Sequence, residues 1–426
     1  MGLPVPDSGI DVAASTPRSL SGLTVCAVAC HFQPETSGSA PYNTEMVRAL
    51  VAAGAAVELI TGVPHYPQWK VTDPRYRRGL RWRESYEGVE VTRLRHLVPA
   101  RAGLSGRARL EGSFLSLATP HVLASKADVI VAVTPLLAAL TAARAGSRGR
   151  PVGAIVHDLT GNGAAQSGTT GGRVGAALAA GEYRLLAGSD RVAVITPRFR
   201  DVLQAGGVPA EKIVDLPLFT HVERVDVDRH EARRRLGWPE RSVVAVHTGN
   251  MGMKQGLETI VDAAALADRR GDDVEFVIVG DGNRRAALVE RGIGIERLRF
   301  VDPVGEDDYP YVLAAADVLL LNEKPGVLEM SLPSKLTSYS SAGRPIVASV
   351  EAGGITHSLL AAHDAAALVA CGDPAALLAE VLRVAADPVA TDRLVGAAAD
   401  LQRSQFDRSV GVRAFADFVG SLADSR

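Results

Sequence analysis

Cysteine is scarce in this chain, with three residues among 426: Cys26, Cys30 and Cys371. An odd and scattered set excludes a disulfide-stapled scaffold, and the sequence has no CxxC pair of the kind that holds a structural zinc ion. We therefore expect a chain that works in the reducing cytoplasm, and no metal site is expected from this spacing.

Long apolar runs are also lacking. No stretch approaches the roughly 18 consecutive apolar residues that a membrane-spanning helix requires. Residues 1–21 have neither a basic start nor an apolar core, so we expect a disordered tail there and not a signal peptide. With a net charge of −2 and 47% hydrophobic residues, the composition is that of a globular protein long enough for two domains.

Short apolar runs alternate with helical segments along the chain. Such runs predict parallel sheets with helices on both faces, an α/β fold. In the first half we expect a helix over residues 41–53 and strands over residues 23–29, 56–61, 89–94, 128–133, 152–157, 191–195 and 212–216. In the second half we expect strands over residues 243–248, 275–279, 298–301, 317–321, 345–349 and 367–370.

Residues 329–345 carry the strongest functional signal. Pro333 and Ser334 form a helix start after an expected strand, and Gly343 marks the helix end. Lys335 then lies in the first helical turn, where the helix dipole disfavours a cation. A lysine at that place indicates an anion bound over the helix start, and a solvated lysine is the plain alternative.

A second lysine lies where another strand gives way to a helix. The strand ends at Thr248, and Gly249 and Gly252 allow the backbone to approach a ligand closely. Lys254 follows, and a long helix is expected to begin near Gln255. Two lysines at two neighbouring helix starts are suited to a diphosphate, which they could neutralise without a metal ion.

Three blocks resemble the donor half of family 4 retaining glycosyltransferases, which have the GT-B fold and use nucleotide-activated sugars. The blocks are residues 249–257 (GNMGMKQGL), 277–282 (VIVGDG) and 333–345 (PSK at the start, GRP at the end). The N-terminal half resembles the exopolysaccharide and O-antigen branch, including the colanic-acid type, in residues 31–40, 61–70 and 157–159. The resemblance covers roughly residues 22–420.

The resemblance implies two Rossmann-like parallel-sheet domains with a cleft between them, and a C-terminal helix that crosses back to the first domain. The expected divisions are an acceptor-side domain over residues 22–217, a hinge over 218–240, a nucleotide-sugar-binding domain over 241–404 and the crossing helix over 405–426.

The resemblance also implies a site. The expected donor-binding residues are Gly38, Ser39, Gly249, Asn250, Lys254, Val304, Pro333, Ser334 and Lys335. Three residues are expected to be catalytic: His157 near the C6 hydroxyl of the sugar, Asp158 as the orienter of its loop, and Glu329 on the sugar hydroxyls. The plain alternatives are a satisfied histidine at a strand end and a surface carboxylate. Acceptor-side candidates are Glu35, His65 and Tyr66.

One position departs from the family pattern. Many relatives carry two glutamates eight residues apart, whereas this chain has Ser338 at the second position and Met330 at the first, with Glu329 beside it. The departure affects a contact to the ribose or the sugar of the donor. For this reason a second function stays open, that of a non-catalytic subunit that binds the donor or activates a partner.

Residues 70–109 contain eleven basic and four acidic residues, a local charge of +7. A basic residue near an anionic membrane contributes about 1 kcal/mol of attraction. Trp82 and Tyr86 lie among these residues and Trp69 lies directly before them, and the three aromatic side chains are suited to a headgroup interface. We expect a membrane-facing patch on the acceptor side, with a solvated surface as the alternative. No nucleic-acid recognition motif is present, so no nucleic-acid partner is expected.

Two short motifs are typical of other sites, a metal site and a dinucleotide site. Asp226 and Asp228 have the DxD form by which other glycosyltransferases hold a divalent cation, but they fall in the expected hinge. Gly280 and Gly282 form a GxG, but the third glycine of a dinucleotide fingerprint is replaced by Arg285.

Residues and resemblance together lead us to expect a retaining, metal-independent hexosyltransferase without a cofactor. Its co-substrate is a UDP- or GDP-activated hexose or deoxyhexose. Its acceptor is a lipid-linked saccharide at the inner face of the plasma membrane or a soluble small molecule. A sugar-nucleotide epimerase or hydrolase of the same fold stays open, although it needs further acid–base groups in the cleft and the sequence offers few.

Overall fold

The computed structural model describes residues 18–35, 38–66, 68–99, 104–159, 173–220, 222–326 and 332–425. Two sheets covered by helices form two α/β domains, as the alternating apolar runs predict. Among the helices in these ranges, none is long and apolar enough to cross a membrane.

The first sheet has eight strands in the order β3-β4-β2-β1-β5-β6-β7-β8. Neighbouring strands are parallel, except that β3 pairs antiparallel with β4 at one edge. The strands are β1 (Thr24–Val28), β2 (Ala56–Gly62), β3 (Arg81–Tyr86), β4 (Val89–Leu94), β5 (Val129–Val133), β6 (Val152–Val156), β7 (Arg191–Val194) and β8 (Ile213–Asp215). The central strands β5 and β6 are buried along their whole length because helices cover both faces.

Helices flank this sheet on both faces. They are α1 (Ala40–Ala52), α2 (Leu104–Ala124), α3 (Leu137–Ala145), α4 (Arg173–Ala187) and α5 (Pro197–Ala205). Thr196 caps α5 by accepting a hydrogen bond from the backbone N–H of Phe199 at 3.3 Å, and Pro197 occupies the first helical position.

The second sheet is parallel throughout, in the order β11-β10-β9-β12-β13-β14. Its strands are β9 (Val243–Thr248), β10 (Val274–Val279), β11 (Leu298–Val301), β12 (Val318–Asn322), β13 (Ile346–Ser349) and β14 (Ala367–Val369). The surrounding helices are α6 (Arg229–Leu236), α7 (Glu258–Arg270), α8 (Arg285–Arg291), α9 (Tyr309–Ala315), α10 (Lys335–Ser341), α11 (Ile355–His363), α12 (Pro374–Ala386) and α13 (Pro388–Gln405).

The last helix, α14 (Arg408–Ala423), crosses back to the first domain as the resemblance implied. Arg408 forms an ion pair at 2.5 Å with Glu45 of α1. A Cβ atom at Gly153 of β6 would lie 2.5 Å from the side chain of Leu422, so only glycine leaves room for α14 at this point. The crossing ties the C-terminal end of the chain to the N-terminal sheet.

Candidate active site

The carboxyl ends of the strands in both sheets open into one cleft, where parallel α/β sheets place their ligands. Asp158 follows β6 of the first domain, and its Oδ2 lies 4.0 Å from the Nζ of Lys254 in the second domain. At another point across the cleft, the Nε2 of Gln33 donates a hydrogen bond to Glu306 at 2.8 Å. The cleft is therefore bordered by charged and polar groups from both domains.

Lys335 is the first residue of α10, after Ser334 at the helix cap, as the sequence predicts. Its Nζ donates a hydrogen bond to the Nε2 of His247 at 3.0 Å. The Nδ1 of His247 lies 3.1 Å from the carbonyl oxygen of Leu320, which can only accept. His247 is thus neutral with its proton on Nδ1, and its Nε2 fixes the direction of the lysine amine.

Burial controls the charge of this lysine. It lowers the pKa of Lys335 to about 7, with Glu323 acting in the opposite direction. Burial raises the pKa of Glu323, whose Oε1 accepts a hydrogen bond from Thr356 at 2.7 Å. An enclosed amine with so little compensating charge is placed to bind an incoming anion, which would restore its positive charge.

Gly249 begins the loop that faces Lys335. A Cβ atom at Gly249 would lie 3.6 Å from the Cε of Lys335, so the two expected donor-binding residues come together. Gly280 and Gly282 pack against this loop, since Cβ atoms there would lie 2.0 Å from the carbonyl oxygen of Gly249 and 2.6 Å from the Oδ1 of Asn250. The GxG pair therefore supports the loop.

Lys254 lies in a short 3-10 turn, residues Met253–Gln255, and α7 begins only at Glu258. The expected helix start near Gln255 was therefore wrong. Gly256 explains the interruption, because its φ of +54° lies in the left-handed region and ends the 3-10 turn. Lys254 consequently reaches the cleft from a loop and pairs with Asp158.

His157 and Asp158 lie at the cleft, directly after β6. Burial lowers the pKa of His157 to about 4, so the imidazole is neutral at neutral pH. Its ring lies 5.7 Å from the ring of Tyr42, centroid to centroid. Burial raises the pKa of Asp158, and Lys254 opposes this shift. The pair offers a neutral hydrogen-bonding ring and a carboxylate beside a lysine.

Gly38 and Ser39 precede α1, between the first strand and the first helix. Gly38 has a φ of +66°, and a Cβ atom there would lie 3.3 Å from the ring of Tyr66. Ser39 is the N-cap residue of α1, and its side chain makes no capping hydrogen bond. Its carbonyl oxygen accepts a hydrogen bond from the backbone N–H of Asn43 at 2.9 Å. The backbone N–H groups at this helix start remain candidates for a bound anion.

The three acceptor-side candidates form one unit. The Oε1 of Glu35 accepts hydrogen bonds from the backbone N–H groups of His65 at 2.7 Å and Tyr66 at 2.8 Å, and Oε2 lies 2.9 Å from the Nδ1 of His31. Burial raises the pKa of Glu35, but the hydrogen bond and charge of His31 outweigh it and the net shift is downward. Glu35 thereby holds the loop after β2 in place.

Ser338, which stands where many relatives have glutamate, is buried beneath the cleft. Its Oγ donates to the carbonyl oxygen of Lys335 at 3.0 Å and lies 3.3 Å from the hydroxyl of Tyr309. Thr248 and Tyr339 continue this network, with the hydroxyl of Tyr339 accepting from the backbone N–H of Thr248 at 2.8 Å. The serine therefore stabilises the start of α10 from below.

Three predicted site residues, Glu329, Pro333 and Val304, and the DxD motif remain to be placed in the structure. Glu329 lies outside the described residues. Pro333 accepts a hydrogen bond from the backbone N–H of Leu336 at 2.9 Å, and Val304 packs against the hydrophobic core. Asp228 caps α6 by accepting from the backbone N–H groups of His230 and Glu231 at 2.9 and 3.3 Å, a structural role for the DxD motif.

Sequence reasoning missed His247 and Glu323. His247 was read only as part of the strand over residues 243–248, and Glu323, which directly follows β12, was given no role. In the folded chain His247 contacts Lys335, and the charge of Glu323 acts on it. The available signal was their position, because polar residues at the carboxyl ends of buried parallel strands point toward the ligand edge.

The low pKa of Lys335 makes the stability of the unliganded protein depend on pH. The folded chain releases this proton near pH 7, whereas the unfolded chain keeps it to about 10.5. The unfolded state binds more protons between these values, so the free energy of unfolding gains a contribution that rises with pH. We expect the urea midpoint of the unliganded wild type, minus that of Lys335→Met, to increase between pH 7 and pH 9. If this difference is the same at both pH values, Lys335 does not have the lowered pKa described above.

Two parallel-sheet domains, a cleft lined by lysines and a crossing C-terminal helix define a GT-B architecture. Two family models match the chain: the one described as a glycosyl transferase 4-like domain over residues 37–218, and the one described as glycosyl transferases group 1 over residues 242–387. The chain belongs to glycosyltransferase family 4, in its exopolysaccharide branch.

One relative agrees with this membership, and two solved structures show the same fold. The putative colanic acid biosynthesis glycosyl transferase WcaI of Escherichia coli K12 is 30% identical over 339 residues, which cover 76% of this chain and 82% of that protein. Sucrose-phosphate synthase of Thermosynechococcus elongatus has the same fold, with a TM-score of 0.72 at 19% identity and coverage of 95% and 98% of the two chains. HepE of Anabaena, solved in complex with UDP-glucose, has a TM-score of 0.66 at 16% identity and coverage of 94% and 100%.

Proposed function

We propose that this glycosyltransferase moves a hexose or deoxyhexose from a UDP- or GDP-sugar to a hydroxyl acceptor, with retention of anomeric configuration and without a metal ion on the diphosphate. The carrying observation is the enclosed amine of Lys335, directed by His247 and facing the Gly249 loop. HepE was solved with UDP-glucose, which supports a nucleotide-sugar donor. Retention is proposed from family membership.

The chemistry follows from the charges in the cleft. Departure of the nucleotide leaves a diphosphate with growing negative charge, and each preorganised donor contributes about 3 kcal/mol to stabilising such charge. Lys335 gains a proton when the diphosphate binds, and Lys254 approaches from the same side of the cleft. His157 is neutral and can hydrogen-bond to a sugar hydroxyl without repelling a positive anomeric centre. Closure of the cleft excludes water and prevents donor hydrolysis.

We further propose that the acceptor is a lipid-linked saccharide in surface polysaccharide synthesis, reached at an anionic membrane. The name of the Escherichia coli relative points to polysaccharide synthesis. The segment with the local excess of positive charge also exposes large apolar side chains: Leu80 is 65% exposed and Leu97 58%, and Trp69, immediately before the segment, is 41% exposed. Exposed apolar groups among arginines are suited to a headgroup region.

The membrane proposal makes a binding prediction. We expect co-sedimentation with vesicles that contain anionic phospholipid and little with neutral vesicles. Replacing the exposed pair Arg77 and Arg78 by glutamate should weaken vesicle binding about tenfold or more, because each basic residue contributes about 1 kcal/mol. The matched control is Arg269→Glu with Arg270→Glu at the end of α7 in the other domain. Equal loss in both variants, or binding to neutral vesicles alone, would contradict the proposed surface.

An acceptor-dependence assay tests the reaction. UDP- and GDP-sugars are incubated with the protein, with and without a membrane lipid extract that contains lipid-linked saccharides, and nucleotide release and the labelled lipid product are measured. We expect release and product only when extract is present. Release at the same rate without an acceptor would indicate a hydrolase, and a changed sugar without release would indicate an epimerase. No turnover together with retained nucleotide binding would indicate a non-catalytic subunit.

A further inference from the structure

A cluster of unused ligand groups lies at the edge of the first sheet, below the acceptor-side loop. Cys30, His65 and His96 follow β1, β2 and β4, which are neighbours in the order β4-β2-β1. Because these strands are parallel, their carboxyl ends meet at one edge, and the three side chains converge although they lie far apart in the sequence. Spacing alone therefore gave no metal motif.

The three side chains are buried and close together. The Sγ of Cys30 and one ring nitrogen of each histidine all lie within 4.8 Å of one another. The rings of His65 and His96 are 4.6 Å apart, centroid to centroid. Cys30, His65 and His96 are 4%, 2% and 3% exposed. A Cβ atom at Gly62 would lie 2.7 Å from the His96 ring, so the chain leaves space for that ring where a side chain would fill it.

The two imidazoles each present a free lone pair. The Nδ1 of His65 lies 3.0 Å from the carbonyl oxygen of Val63, and that of His96 lies 3.3 Å from the carbonyl oxygen of Leu94. A carbonyl oxygen only accepts, so Nδ1 carries the proton in both rings and Nε2 carries the lone pair. Both Nε2 atoms are buried and have no hydrogen-bond partner within the described ranges. A metal-binding histidine typically donates a hydrogen bond from one ring nitrogen to a backbone carbonyl and binds the metal with the other ring nitrogen, and both rings have this arrangement of donor and lone pair.

The third group is a thiol with no other assigned use. Cys30 is a free cysteine, and burial together with the charges of Glu35 and Glu111 raises its pKa. Burial likewise lowers the pKa of His96 to about 3, so its ring stays neutral. Burial and the two acidic neighbours disfavour the charged thiolate of Cys30. A cation bound to the sulfur would stabilise the thiolate.

A neighbouring group, His31, Glu35 and His65, meets the same distance limit but is satisfied within itself. The oxygens of Glu35 already accept from two backbone N–H groups and from His31. Its geometry therefore needs no ion, in contrast to the unpartnered nitrogens of His65 and His96.

We propose that Cys30, His65 and His96 bind one divalent transition-metal ion of the zinc class. Bond lengths of about 2.3 Å to sulfur and about 2.0 Å to nitrogen require the three ligand atoms to lie about 3.5 Å apart, so binding draws the three side chains inward. The thiol releases its proton to solvent, no electron is transferred, and a fourth tetrahedral position stays open. The ion ties together the loops after three strands, which include Tyr66 and the segment held by Glu35. Its three ligands are not among the residues proposed to bind the diphosphate, and the metal site does not rest on the proposed transfer reaction.

Cobalt substitution of the full-length, untagged protein tests this site. The protein is reduced, stripped with a chelator, exchanged into chelator-free buffer and titrated with Co²⁺ alone. We expect one equivalent per chain to produce a sulfur-to-cobalt charge-transfer band and the intense visible bands of tetrahedral cobalt, both abolished by an equivalent of Zn²⁺. The Cys30→Ala variant should lose the charge-transfer band, and His96→Ala should weaken Co²⁺ binding at least tenfold.

Cys26→Ala is the matched control, since Cys26 is a buried free cysteine within β1, the strand that Cys30 follows, and lies outside the cluster. It should bind cobalt as the wild type does. Circular dichroism checks that each variant is folded. The wild-type titration decides the matter even if Cys30→Ala does not fold, because absence of a charge-transfer band at saturating Co²⁺ overturns the proposal. Cobalt binding with the same spectrum in a folded Cys30→Ala variant overturns it as well.

Discussion

Replacing Lys335 by methionine should weaken the binding of the nucleoside diphosphate about 10- to 100-fold, while the chain stays folded. Hydrogen bonds to charged groups contribute about 1.5–3 kcal/mol, and each 1.4 kcal/mol is a factor of ten in affinity. Methionine keeps the approximate length of the side chain and removes the amine that His247 directs. Isothermal titration with UDP and GDP measures the change.

The thermal shift induced by the nucleotide reports the same loss. A ligand at about 100 times its dissociation constant stabilises a protein by about 2.7 kcal/mol, and at the same concentration Lys335→Met should keep only about 0.4–1.4 kcal/mol of this stabilisation. Lys254→Ala should lose less, because Lys254 already pairs with Asp158 across the cleft. Lys126→Met is the control, since this exposed lysine lies before β5, at the amino ends of the strands in the first sheet and away from the cleft. Equal affinities in wild type and Lys335→Met would remove Lys335 from the diphosphate site.

The second large effect concerns Gly280. This residue has a φ of +138°, a conformation that L-residues rarely adopt, and a Cβ atom there would lie 2.0 Å from the carbonyl oxygen of Gly249. Gly280→Ala should therefore destabilise the protein by about 2–5 kcal/mol, as backbone strain adds to overpacking. Urea denaturation followed by tryptophan fluorescence and circular dichroism measures the loss.

The same substitution should also displace the Gly249 loop and weaken nucleotide binding, because that loop faces Lys335. Gly396→Ala is the control: it lies within α13, where an added Cβ meets nothing within 4 Å, and alanine is favoured over glycine in a helix. A Gly280→Ala protein with wild-type stability and nucleotide affinity would show that this contact can relax freely.

Much of the fold could be predicted because the strands are buried on both faces. Strands β4, β9 and β11 have the predicted ends, and each of the other predicted strands differs by one residue at one or both ends. The prediction missed β3, in which charged and aromatic residues alternate as expected for an edge strand. Its hairpin signal was present in Glu87 and Gly88, whose φ values of 48° and 84° form the turn to β4.

The segment predicted as a hinge contains an element that the sequence analysis did not assign. Asp228 caps α6, and Gly237 ends it with a φ of +65°. Arg233 in this helix is buried and pairs with Asp317, so a polar sequence conceals a packed helix. Charge composition alone cannot distinguish a solvated linker from a helix whose arginine finds a buried partner.

The positions of Lys335, Gly249 and Lys254 at strand ends beside the cleft could be predicted, because glycines and cations at strand ends are local features of the sequence. Their binding of a donor stays a prediction. The position of His247 and Glu323 at strand ends marked them as polar groups near the ligand edge, but not as neighbours of Lys335, because His247 ends β9 and Glu323 follows β12, and both come near the lysine only in the folded sheet. The convergence of Cys30, His65 and His96 depends in the same way on strand order, which the sequence does not state.

A crystal structure of the chain with a bound nucleoside diphosphate would examine the donor site directly. UDP or GDP is chosen by the larger thermal shift of the wild type. We expect a diphosphate oxygen within about 3 Å of the Nζ of Lys335, with the backbone of the Gly249 loop on its other side. A nucleotide bound with its diphosphate away from Lys335 and Lys254, or bound outside the cleft, would contradict the donor site described above.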